Sequence, residues 1–393
     1  MFEKKNVGDH TKCVRSLHGP KDFDGSVITP IFQTSNFRFS KSQELIDYQE
    51  GRGHAYMYTR YGNPTAEEVE KRLADLERGE KALLFASGMA ATASTCLAFL
   101  NAGDRLLASR SLYGGTINLF ETILKRFGVQ VNYIALEEPS RLPEFLHEPA
   151  KLLWFETPVN PTLQVLDIAA IVQAARAKGV LTVCDNTFAT PINQKPLELG
   201  VDMVMHSLTK YIGGHSDLLG GAVIGSVENI KKLSQVRKYT GGVADPHLAF
   251  LAGRGLKTVA VRMERHNATA QKVAEFLKGH PLVTRTFYPG LTGSPDYAIA
   301  RRQMTGFGGM VCFEIKGNLK DAMRVADSFE IILNATSLGG VESLASLPAL
   351  TSQYGLSPQE RAKAGISDGM IRLSVGLEDA EDLIADLDQA LRA

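Results

Sequence analysis

Charge of one sign is missing: 43 basic residues balance 43 acidic ones in the 393-residue sequence. A chain without net charge gives no electrostatic reason to bind nucleic acid or an anionic membrane surface. Cysteine is scarce. Cys13, Cys96, Cys184 and Cys312 lie far apart and form no CxxC pair. Neither a disulfide framework nor a metal site is therefore expected, and reduced thiols in a cytoplasmic protein fit best. The nucleotide-binding patterns GxGxxG and GxxxxGK followed by Ser or Thr are also missing. The opening residues, MFEKKNVGDHTK, hold no apolar run, so no secretory signal is expected in them. Only one uncharged stretch, residues 82–103, has the length of a membrane span. Ser87, Gly88, Thr92, Ser94 and Thr95 dilute it, and it reads as a buried strand, a turn and a buried helix.

What is present is an ordinary globular composition, 44% apolar and 22% charged, in a chain long enough for two domains. The first sixty residues lack periodicity but are rich in aromatics, which suits an arm packed on something else. From Pro64 a helix is expected, with Ala66, Val69, Leu73 and Leu76 on one face. Short apolar runs then recur at Ala82–Ala86, Arg105–Ser109, Val129–Ile134, Leu152–Phe155, Val180–Cys184, Val201–Met205 and Ala222–Ile224. Helical patterns such as Asp167–Lys178 lie between most of them. This alternation predicts an α/β protein with a mostly parallel sheet. A long helical stretch from about Pro246 to Gly279 leads to a smaller α/β part with strands at Met310–Ile315 and Met370–Val375, and an amphipathic helix closes the chain. The division expected is an arm over 1–62, a large domain over 63–255 and a small domain over 256–393.

Ligands of open α/β sheets sit beyond the carboxyl ends of the strands. Asp185 ends one apolar run and Lys210 follows the next by a short turn, twenty-five residues on. Such a pair suits pyridoxal phosphate, the acid keeping a pyridine nitrogen protonated and the lysine holding the aldehyde carbon. A surface acid and a surface lysine near two strand ends have the same spacing. Ser87-Gly88-Met89, between a strand and a helix start, could receive a phosphate or be a plain N-cap. His215, in Gly213-Gly214-His215-Ser216-Asp217, has no partner at metal-ligand spacing and reads as a loop histidine. Arg301-Arg302 reads as solvated surface.

Longer motifs bear on the choice: YTRYGNPT at 58–65, ASGMAA at 86–91, ETPVNPTL at 156–163, DNTFATP at 185–191, HSLTKYIGGHSD at 206–217, SLGGVESL at 337–344 and IRLSVGLED at 371–379. In these, along nearly its whole length, the sequence resembles the Cys/Met-metabolism family of pyridoxal-phosphate enzymes. The resemblance implies a fold-type I, aspartate aminotransferase-like transferase: a mostly parallel seven-stranded sheet domain plus a smaller α/β C-terminal domain. It implies that Lys210 carries the cofactor as a Schiff base and shuttles protons, and that Asp185 pairs with the pyridine nitrogen. Gly88, Met89, Ser207 and Thr209 would hold the phosphate. Tyr113 would stack on the ring and act as a general base. Asn160, Ser337 and Arg372 would line the substrate side, Arg372 binding the α-carboxylate. Tyr58 and Arg60 would reach the phosphate of a neighbouring subunit, which implies a homotetramer built as a dimer of active dimers.

Departures from the family's branches decide among activities on small amino-acid substrates. Methionine γ-lyases carry a cysteine where this chain has Gly115, and cystathionine γ-lyases, like many bacterial γ-synthases, a glutamate where it has Thr336. The segments Phe188–Lys195 and Gln303–Gly309 look more like plant γ-synthases. The expectation is therefore γ-replacement of the cystathionine γ-synthase kind, O-acylhomoserine plus cysteine giving cystathionine. A cystathionine or methionine γ-lyase and an O-acylhomoserine sulfhydrylase are the alternatives. An aminotransferase, or a catalytically silent binding protein on the same scaffold, fits the motifs less well.

Overall fold

The computed structural model describes the chain except for residues 1–6, 16–22, 54, 137–141, 147, 353, 356 and 364. The reading of the N-terminal segment thus falls partly outside the described residues. The apolar runs become β1 (Lys81–Phe85), β2 (Arg105–Ser109), β3 (Gln130–Ile134), β4 (Leu152–Glu156), β5 (Leu181–Asp185), β6 (Met203–Ser207) and β7 (Gly221–Gly225). They form one sheet in the order β1-β7-β6-β5-β4-β2-β3. The strands from β6 through β5, β4 and β2 to β3 run parallel, whereas β7 is antiparallel to both its neighbours.

Apart from the edge strand β3, these runs are largely apolar because both faces of the sheet are covered. Phe85, Leu106, Trp154, Val183 and Met205 point to one face, where Ala91 and Cys96 of the helix Gly88–Phe99 meet them. Leu107, Leu153, Phe155, Cys184 and Val204 point to the other, against Ile171, Val172 and Ala175 of the helix Ile168–Arg176. Each such side chain contributes about 1.5–3 kcal/mol by leaving water. Side-chain caps fix where the helices start. Asn63 accepts the N–H of Thr65 at 2.9 Å ahead of the helix Pro64–Glu77, and Asp167 accepts that of Ala170 at 3.2 Å. Residues 82–103 form β1, a turn and the helix Gly88–Phe99. Among the described residues no helix is long and apolar enough to cross a membrane.

A second sheet contains β8 (Val283–Phe287), β9 (Met310–Ile315), β10 (Leu333–Asn334), β11 (Leu344–Ser346) and β12 (Met370–Ser374), ordered β10-β11-β12-β9-β8. The closing helix Ala380–Arg392 packs on it through Leu383, Leu387 and Leu391. One expectation changes here. The stretch from Pro246 to Gly279 is two helices, Pro246–Leu256 and Val259–Gly279, and Thr258 between them has left helical geometry. Buried Arg262 braces the junction. Its guanidinium donates to the carbonyls of Tyr211 (2.6 Å), Gly255 (2.8 Å) and Ile212 (3.2 Å), and the Gly255 carbonyl also accepts the N–H of Thr258 at 3.1 Å.

Candidate active site

The parallel strands β4, β5 and β6 end side by side in Glu156, Asp185 and Ser207, and a cavity of about 750 Å³ opens beyond them. One wall comes from the turn after β1. Ser87 caps the following helix by accepting the N–H of Ala90 at 3.0 Å, leaving Gly88 and Met89 at the helix start facing the cavity. Gly88 allows a close approach: a Cβ there would stand 3.1 Å from the Cβ of Ser207, tight enough to push that residue back. The turn after β1 and the turn carrying Lys210 are thus pressed together. Thr187 organises the neighbouring strand ends, donating its N–H to Asp185 at 3.0 Å and accepting the N–H of Ser207 at 2.9 Å. Thr209 faces the cavity and accepts the N–H of Gly220 at 3.1 Å.

Lys210 donates from Nζ to the Ser337 hydroxyl at 2.7 Å. Burial, with the Arg372 charge as a second cause, lowers its ammonium from the usual 10.5 to about 8. Arg372 lies in mid-strand on β12 and is itself buried. Its two terminal nitrogens donate to the Asn160 side-chain oxygen (3.0 Å) and the Ser337 carbonyl (3.1 Å). Ser337 holds a left-handed backbone at φ +82°, a geometry few non-glycine residues adopt and one that cavities of this kind collect. The small sheet therefore closes over the lysine turn with three polar groups already joined.

Burial raises the Asp185 carboxyl, opposed by its hydrogen bonds from Thr187 and by the charge of His206. Glu156, in register with Asp185 on the next strand, is pushed up to about 8 by burial and by the Asp185 charge. Its Oε1 accepts the N–H of Asn160 at 2.9 Å and its Oε2 the N–H of Tyr113 at 2.8 Å. The Tyr113 ring is half exposed on the cavity wall.

Lys210, Asp185, Tyr113, Gly88, Met89, Ser207, Thr209, Asn160, Ser337 and Arg372 thus share one cavity. Tyr58 and Arg60 do not line it. Arg60 donates to the Lys238 carbonyl at 2.9 Å and lies 5.4 Å from the Tyr58 ring centre. His215 bonds within its own loop, to the Gly213 carbonyl at 2.7 Å, and no group of three metal-ligating side chains occurs among the described residues. Sequence reasoning missed Glu156 and Thr187. Glu156 ends an apolar strand just as Asp185 does, and the rule applied to Asp185 would have found it.

A family model described as Cys/Met metabolism PLP-dependent enzyme matches residues 10–392. The L-methionine gamma-lyase of Pseudomonas deceptionensis is 41% identical over 392 residues, 99% of this chain and 98% of that protein. The cystathionine beta-lyase of Coxiella burnetii is 42% identical over 396 residues, the full length of both. The crystal structure of cystathionine gamma synthase from Xanthomonas oryzae pv. oryzae in complex with cystathionine superposes with a TM-score of 0.92 at 39% identity, covering 98% of each chain.

Proposed function

The chain belongs to the Cys/Met-metabolism family of pyridoxal-phosphate-dependent enzymes, with their fold-type I architecture, and from that premise we propose a γ-replacement of the cystathionine γ-synthase kind. In it, cysteine displaces the acyloxy group of an O-acylhomoserine to give cystathionine. The observation that carries this reading is one cavity in which a lysine lowered to about 8 stands beside Ser337 and Arg372 and shares its walls with Asp185.

The residues present fit the cofactor. The helix start at Gly88 and Met89, with the hydroxyls of Ser207 and Thr209, offers donors for a phosphate. Asp185 offers a buried carboxylate for a protonated ring nitrogen, and Lys210 an amine lowered toward neutrality. Bound there, pyridoxal phosphate supplies an electron sink that acidifies the substrate Cα–H. Tyr113, on the cavity wall, would take a proton from the incoming amino group. Arg372, with Asn160 and Ser337 around it, would grip the α-carboxylate as a planar fork. Nζ of Lys210 would remove the Cα proton and return it. With a second proton lost from Cβ, the Cγ–O bond would break and the acyloxy group leave as a carboxylate. The cysteine sulfur would form the Cγ–S bond, its thiol proton would pass to the carboxylate, and Cβ would regain its proton.

Two cavity positions favour replacement over lysis. At Gly115 a Cβ would stand 2.5 Å from the Tyr113 ring and 3.1 Å from the Met89 sulfur, so the cysteine of methionine γ-lyases has no counterpart there. Thr336 puts an uncharged side chain where cystathionine γ-lyases carry glutamate. The second reading is γ-elimination, favoured by the methionine gamma-lyase that is 41% identical over the whole length. The exposed arm, with Val27 fully in solvent and Ile28 45% exposed, supports packing on a second copy whose phosphate Tyr58 and Arg60 would reach. A cytoplasmic homotetramer and the three-part division at residues 62 and 255 belong to the same proposal.

The test is an O-acylhomoserine incubated with and without cysteine. Cystathionine forming only with cysteine is the expected result. Release of 2-oxobutanoate from cystathionine, with no synthesis, would sink the proposal.

A further inference from the structure

We propose that Glu156 is a positioning residue, a buried carboxyl that ties the Tyr113 loop to the Asn160 loop and, once a cation faces Asp185, becomes the charge felt there. This rests on the roles proposed above for those three residues. Glu156 ends β4 only 6% exposed, where a carboxylate is costly unless both oxygens are satisfied. Each oxygen takes one backbone N–H, from Asn160 at 2.9 Å and from Tyr113 at 2.8 Å. Tyr113 follows β2 and Asn160 follows β4, so one side chain fixes the backbones of two loops that rise from neighbouring strands. On its other side the Tyr113 backbone is held by its own turn, its carbonyl accepting the N–H groups of Thr116 (2.9 Å) and Ile117 (3.2 Å).

The second half of the argument is charge. Glu156 and Asp185 are register partners, so two carboxylates stand side by side on one face of the sheet. Like charges so placed oppose each other unless a cation faces them. Asp185 acts directly on Glu156; the Cys184 thiol on β5 feels both carboxylates and Glu77; His206 on β6, paired with Glu77, acts on Asp185; and Tyr113, Lys210 and Arg372 share the cavity wall. A protonated ring nitrogen held by Asp185 would add a cation directly against the pair, and Glu156 would raise the proton affinity of that nitrogen through Asp185. Glu156 need touch neither substrate nor cofactor to act.

The experiment uses yellow holoenzyme, its visible band titrated against pH, with kcat and KM measured alongside. In Glu156→Gln the amide keeps the volume, loses the charge and turns an NH2 toward a backbone N–H. The midpoint of the band is expected to fall by about one pH unit. Glu156→Asp keeps the charge but shortens the reach. It is expected to titrate like the parent while kcat drops about ten-fold with KM little changed. A tie that was only structural would leave the Glu156→Gln midpoint in place, and that result overturns the proposal. Should Glu156→Gln fail to retain cofactor, Glu156→Asp decides alone: a parental kcat overturns the proposal and the ten-fold loss supports it. A parent protein without a yellow band would instead defeat the cofactor site, a failure readable apart from this one.

Discussion

The two sheets meet the cavity in different ways. The seven-stranded sheet presents strand ends, with Glu156, Asp185 and Ser207 each the last residue of a parallel strand. The five-stranded sheet presents Arg372 from the middle of β12 and Ser337 from an irregular stretch after β10. Strand-end groups are positioned by the main chain of a rigid sheet. The small sheet's groups are positioned by one another, through Arg372, the Ser337 carbonyl and Asn160. The cofactor half of the site is thus framed by topology and the substrate half by a polar cluster.

That contrast can be broken from either side. Lys210→Ala should abolish the yellow band and cut turnover at least about a thousand-fold, since covalent attachment and proton transfer are lost together; spectra and the cysteine-dependent assay check it. Arg372→Leu attacks the other half. It should leave the band intact and lower kcat/KM about a hundred-fold, mostly through KM, as removal of a buried charge-assisted pair costs about 2–3 kcal/mol. A lost yellow band in Arg372→Leu would mean that the two halves are not separable.

Cofactor-free protein sharpens the comparison through pH. Lys210, lowered to about 8 from 10.5, binds fewer protons folded than unfolded between those values. Its penalty is therefore full below about 8 and fades as pH rises toward 10.5. Glu156, raised to about 8 from 4.5, binds more protons folded, so stability falls as pH rises between those two values. Denaturant unfolding should show the two opposing limbs meeting near pH 8. Lys210→Met should remove the rising limb and Glu156→Gln the falling one. The smallest effect lies away from the cavity. Asn63→Ala should cost about 1 kcal/mol by uncapping the helix Pro64–Glu77, with the yellow band unchanged.

The same contrast explains what the sequence made legible. Most strands of the large sheet are apolar runs because both their faces are buried, edge strand β3 (QVNYI) being the mostly exposed exception, and each run lies within a few residues of its strand. β8 reads VTRTF, β10 has two residues and β11 three, too polar or too short for any pattern. The break at Thr258 was hidden because no proline marks it in the sequence. In the site, Asp185 and Lys210 announce themselves by position after apolar runs. Arg372 sits inside a run and carries no local signal, so only the motif resemblance pointed to it. Glu156 had the signal and was passed over because its partners are backbone N–H groups, which no residue pattern records.

The Arg262 clamp has a mechanical consequence. One guanidinium bonds the carbonyls of Tyr211 and Ile212, directly after Lys210, and the carbonyl of Gly255 at the end of the preceding helix. The lysine turn and the start of the 21-residue helix Val259–Gly279 therefore travel as one rigid piece. Any swing of the small sheet toward the cavity has to pivot beyond that joint. The platform of the lysine is thereby fixed to the helix as well as to the strands.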